Sequence, residues 1–131
     1  MSRSTFQNAI DELEALLVTT GTTPHASLSS AGVTLVLDHE PGAEGIPKGC
    51  AVTLSPVGIE PDLWTIRVRL YIADRPADAA QALMIAATVA VDARIRGGVG
   101  FGPSRWEMGW SPELACWVSW SDLQVGREDY F

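Results

Sequence analysis

Apolar and polar side chains alternate strictly along the middle of this chain. Trp64, Ile66, Val68, Leu70 and Ile72 fall on one side, and Thr65, Arg67, Arg69 and Tyr71 on the other. A period of two marks a strand with one buried side and one side presented to water or a partner. The corner ADRPAD (73–78) stops the strand. Pro76 has a fixed φ and no amide hydrogen, which suits the first turn of a helix, and Asp78 sets a negative charge near the positive helix end. The period then becomes helical. Leu83, Met84, Ala87, Val91 and Ile95 mark an apolar stripe, while Asp78, Gln81, Thr88, Asp92 and Arg96 mark a polar one broken only by Ile85. The alanines between them predict a slim helix over 77–95 that lies close to its neighbours.

The flanking segments follow the same logic. Phe6, Ile10, Leu13 and Leu17 recur at helical spacing, so residues 4–18 read as an amphipathic helix. Ser4 and Gln7 have capping-box spacing at its start. TTPHASLSSAG (22–32) reads as a loop. Val33, Leu35 and Leu37 alternate and predict a strand over 33–38. The run HEPGAEGIPKG (39–49) holds two prolines and three glycines and cannot be a regular element. Cys50, Val52 and Leu54 mark the next strand (50–55), and 56–62 turns into the central one. After the long helix, Arg96-Gly97-Gly98 supplies a glycine stop, and 97–104 is a connection. Trp106, Met108 and Trp110 alternate in one strand, and Cys116, Val118 and Trp120 in the next (114–123). The two read as a hairpin whose tryptophans add buried area.

The pattern as a whole predicts an α+β fold in a single domain spanning 1–131. One mainly antiparallel sheet carries two helices packed on one face, in the order α-β-β-β-α-β-β. The other face of the sheet is expected to show Thr65, Arg67, Arg69, Tyr71 and Trp117. That set is too charged and aromatic for plain exposure and too mixed for a core.

Composition narrows the function classes. The chain has 131 residues, 47% of them hydrophobic, and five tryptophans, which argues against disorder. Its net charge is −7, and no Lys/Arg cluster offers the basic patch of a free-standing nucleic-acid binder. Cys50 and Cys116 fall in apolar strand patterns and read as reduced core thiols. No basic-then-apolar start predicts a signal peptide, and no segment predicts a membrane span.

Catalytic and metal chemistry find little support. His39-Glu40 opens like a metalloprotease helix, but position 43 is Ala43 and Pro41 forbids the helix. His25, His39, Cys50 and Cys116 lack the paired short spacing of a zinc site. The glycines at 97, 98, 100 and 102 follow a helix C-terminus, where the dipole has the wrong sign for phosphate. No Gly-x-Ser-x-Gly elbow occurs. No catalytic residue, metal or cofactor is therefore expected, and the chain reads as a non-enzyme.

The opening amphipathic helix, the three-strand block with its acidic Pro/Gly-rich loop, the Ala-rich second helix and the closing run WVSWSDLQVGREDYF together resemble tail terminator proteins of long-tailed bacteriophages, actinobacterial ones in particular. The resemblance covers essentially the whole chain. It implies a homo-hexameric ring that caps the head-proximal end of the tail tube, stops tube polymerisation and joins the tail to the head's connector proteins. It also implies a virion location, production in the host cytoplasm, and DNA passing through the ring without specific binding. On this reading Arg67, Arg69, Tyr71, Trp117, Tyr130 and Phe131 are candidate subunit or tube contacts, and Asp38, Glu40 and Glu44 sit on a lumen or tube-contact loop. Two alternatives stand beside it: another neck or tail component, such as a head-completion or tube-like protein, and a small cytoplasmic ligand-binding α+β domain.

Overall fold

The computed structural model describes residues 5–20, 23–37, 49–59, 63–73, 77–99, 102–103, 105–114 and 116–126. Asp38, Glu40, Glu44, Tyr130 and Phe131 lie outside the described residues, as does the capping serine at position 4. The elements are α1 (Thr5–Leu17), β1 (Val18–Thr20), β2 (Thr23–Pro24), α2 (Ala26–Ser30), β3 (Val33–Leu37), β4 (Gly49–Ile59), β5 (Leu63–Ala73), α3 (Ala77–Val99), β6 (Glu107–Ser111) and β7 (Cys116–Gly126). The fold is α+β. Five strands form one sheet in the order β3-β4-β5-β7-β6, and β1 pairs with β2 in a separate two-stranded sheet.

The large sheet is mixed rather than mainly antiparallel. β4, β5, β7 and β6 pair antiparallel in turn, but β3 runs parallel to β4. A parallel pair cannot be joined by a tight turn, and the run from Leu37 to Gly49 is too long to be one. The central strand matches its pattern. Trp64, Ile66, Val68, Leu70 and Ile72 are all buried, in one core with Ile10, Leu13 and Leu17 of α1, Leu28 of α2, and Met84, Ala87, Val91 and Ile95 of α3. The helices therefore share one side of the sheet.

Five further expectations need correction. The segment 22–32 is not a plain loop. Pro24 pairs with Val18, and the His25 imidazole caps α2, its Nδ1 accepting the Ser27 N–H at 3.2 Å. Leu28, the one large apolar residue of that run, is fully buried and anchors it.

β4 extends to Ile59 through Pro56, with a register shift between Pro56 and Gly58. Among the described residues β3 pairs with β4 as far as Leu37–Thr53, and beyond that no described strand lies on this side of β4, where a bulge and a missing amide hydrogen are tolerated.

α3 runs through Gly97 and Gly98 to Val99, so the glycines do not stop it. The Trp-rich hairpin exists, but its strands start at Glu107 and Cys116, and Trp110 is 53% exposed rather than buried. Finally, Trp117 lies opposite Ile72 on β5, and so on the helix side of the sheet.

Polar groups tie the layers together. The Arg94 Nε–H donates to the Leu16 carbonyl at 2.7 Å, satisfying the end of α1 with a cation where the dipole favours one. Asp92 accepts from Arg96 Nε at 2.8 Å and from Trp106 Nε1 at 3.1 Å, holding the approach to β6 against α3. Beneath α3, the Thr88 hydroxyl donates to the Ser119 hydroxyl at 3.0 Å, both residues being buried.

Candidate interaction face

The face of the sheet away from the helices is built by β4, β5 and β7. Because side chains alternate and register partners share a face, Tyr71 stands beside Val118, Arg69 beside Trp120 and Arg67 beside Asp122. On the β4 side, Arg69 faces Thr53 and Arg67 faces Ser55. Arg67, Arg69 and Tyr71 are thus brought together as the alternation demands. No described helix packs on them.

Each side chain is held differently. Arg67 and Asp122 make a two-bond pair, Nε to Oδ1 at 2.8 Å and Nη2 to Oδ2 at 3.2 Å. The Asp122 hydrogen bond holds the Arg67 guanidinium above its already high range, against desolvation, with the carboxylate's charge adding to it. Arg69 donates from Nη1 to the Ser55 hydroxyl at 3.0 Å. Tyr71 is 2% exposed and packs with Cys116, Val118, Leu114 and Trp120. Burial pushes its phenol up, against the nearby Thr53 hydroxyl and Arg69 charge, which pull it down. Burial likewise raises the Cys116 thiol.

A shallow groove of about 470 Å³ runs across this face, floored by Arg67, Arg69, Tyr71 and Trp120 and walled by the turn from Ser111 to Leu114. It offers cationic edges and aromatic surface. Among its described lining there is no histidine, and its one carboxylate, Glu113, is exposed. Nor do three or more His, Cys, Asp or Glu side chains converge anywhere among the described residues. Such a surface suits contact with another macromolecule, because Arg and aromatic side chains carry most interface energy.

Trp117 does not belong to this face. It packs against the helix-side core, and its ring meets Trp110 edge-on at 5.5 Å and 74°. Its place is taken by Trp120, with Asp122 and Leu114, which the sequence reading missed. The signal was present at the far end of the strand. Leu123 and Val125 have the parity of Trp117 and lie opposite Ile66 and Trp64, so that parity faces the helices. Ser119 and Ser121 interrupt the apolar run and disguise it.

Among the described residues no helix is long and apolar enough to cross a membrane. The chain matches no protein-family model and is significantly similar to no curated protein.

Proposed function

We propose that this chain is a virion structural protein of the tail-terminator type. Six copies close into a ring on the head-proximal end of a tail tube, halt its growth and join it to the head connector. The observation that carries the reading is the sheet face of Arg67, Arg69 and Trp120 around the buried Tyr71, an arginine- and aromatic-rich surface that no described helix covers. A ring needs such a surface, because head-to-tail contacts between identical subunits must close on themselves. The net charge of −7 supports a lumen that DNA crosses without sticking, since like charge opposes phosphate binding. Asp38, Glu40 and Glu44 would line the lumen or the tube contact, and Tyr130 and Phe131 would dock on a neighbour. The chain works without a cofactor and catalyses no reaction.

The test is electron microscopy of tubes polymerised from the cognate tube protein with and without this chain. The reading expects tubes of limited length bearing a six-fold cap at one end, and loss of the cap with Arg69→Glu. Tubes that grow unchanged and carry no extra density would end it. Density elsewhere in the neck would favour another tail component instead.

A further inference from the structure

Among the described residues β6 is an edge strand. Its inner side pairs with β7 from Glu107–Trp120 to Ser111–Cys116, and no described residue pairs with its outer side. Natural sheets protect such edges with charges, prolines or bulges. β6 carries one charge, Glu107, and regular pairing throughout. Its flank is also apolar. Met108 and Trp110 lie on the helix side of the strand, 46% and 53% exposed. Across the adjoining groove, of about 610 Å³ between α3 and the approach to β6, Val89 is exposed, and one helical turn before it Ile85 is exposed as well. Met108 and Trp110 thus leave apolar surface uncovered along the strand, with Val89 across the groove.

We propose that β6 pairs antiparallel with β6 of a second copy, joining the two sheets edge to edge across a two-fold axis at Gly109. The sequence around β6 is complementary to itself in that register. Met108 falls opposite Trp110 of the second copy, twice over by symmetry, giving a cross-strand apolar cluster on the face where Trp117 already supports Trp110. Glu107 falls opposite Ser111. Exposed Arg105 precedes the strand and exposed Glu113 lies in the turn after it, so antiparallel pairing brings the cation of one copy to the same end of the contact as the carboxylate of the other. Among the described residues of one copy Arg105 pairs with Glu107, at 3.4 Å with both side chains largely in water, a contact that is readily exchanged. Gly109, without a side chain, lets the strands approach at the axis. The charge match and the apolar match arise from one register, and that points to a second copy of this chain rather than a foreign strand. The contact is isologous and closes at two, so it stands apart from the head-to-tail contact of the proposed ring.

The test is sedimentation equilibrium of the full chain over a concentration series. Wild type is expected to show a monomer–dimer equilibrium. Arg105→Glu and Glu113→Arg each weaken dimerisation roughly tenfold, since each replaces two symmetric attractive pairs with repulsive ones. The double variant R105E/E113R restores it. Trp110→Lys, at an exposed position, abolishes the dimer while the circular dichroism of the monomer stays unchanged. A chain that stays monomeric throughout, or a dimer indifferent to Trp110→Lys and to the charge swap, would overturn the proposal.

Discussion

Gly98 of α3 faces Leu16 of α1 so closely that a Cβ placed on it would stand 2.3 Å from the leucine Cδ2 and 2.9 Å from its Cγ. The glycine is there for close approach between helices. Its neighbour Gly97 has nothing within 4 Å of the same position. Two substitutions of identical chemistry should therefore have opposite signs. Gly97→Ala removes a helix glycine in open space and should stabilise the chain by roughly 0.5–1 kcal/mol. Gly98→Ala must push the leucine aside and should destabilise by roughly 1–3 kcal/mol in spite of its better helix propensity. Urea denaturation of both variants checks this.

The buried hydroxyl pair of Thr88 and Ser119 ties α3 to β7 at 3.0 Å. Removing one partner strands the other in a dry site. Ser119→Ala or Thr88→Val alone should cost about 1–3 kcal/mol. The double variant T88V/S119A removes both polar groups and should cost less than the two singles added together. A double-mutant cycle on unfolding free energies measures the coupling. Full additivity would mean that the two hydroxyls do not depend on one another.

That same pair explains where the sequence was legible and where it was not. The central strand and both long helices could be read because every second, or every third and fourth, residue obeys one solvent preference. Strand β7 breaks that rule. Ser119 and Ser121 face the helices because Thr88 and the Arg105 carbonyl offer them hydrogen-bond partners, and partners do not show in a hydropathy pattern. The parallel placement of β3 was hidden for a different reason, since pairing direction depends on the path of the connection rather than on the strand. The glycine pair at 97–98 looked like a stop because local propensity says so, whereas the contact with Leu16 is long-range. Of the candidate face, Arg67, Arg69 and Tyr71 followed from alternation within β5. Trp120 and Asp122 needed the cross-strand register.

Alkaline pH should weaken the fold through the second core cluster. Burial raises the Cys116 thiol above its ordinary 9.0 and the Tyr71 phenol above its ordinary 10.0. In both cases the native state holds its proton more tightly than the unfolded chain. Their contribution is thus complete below the unfolded values and is lost as pH climbs past them. Unfolding free energy should be flat in these two groups up to about pH 9 and fall beyond it. Cys116→Ala should remove the first part of the decline and delay its onset toward the tyrosine range. Denaturant midpoints measured from pH 8 upward give the comparison. An unchanged onset in the variant would show that the thiol titrates alike in both states.

The Arg67–Asp122 pair separates a structural role from a docking role at one position. Its side chains are 31% and 36% exposed, so water screens the attraction despite the two-bond geometry. Arg67→Ala and Asp122→Ala should each lower stability by under about 1 kcal/mol, less at high salt. The exchange R67D/D122R re-forms a cross-strand pair of the same kind and should recover most of that loss. The proposed ring contact makes a different demand. If a neighbouring subunit or the tube reads the positive charge where β5 presents it, the exchanged variant will be as stable as wild type and yet fail to cap tubes. If Arg67 serves only to hold Asp122, capping will return together with stability. Thermal unfolding and tube-length distributions on the same three variants distinguish the two outcomes, because the exchange keeps the pair and moves only the place where its positive end is offered.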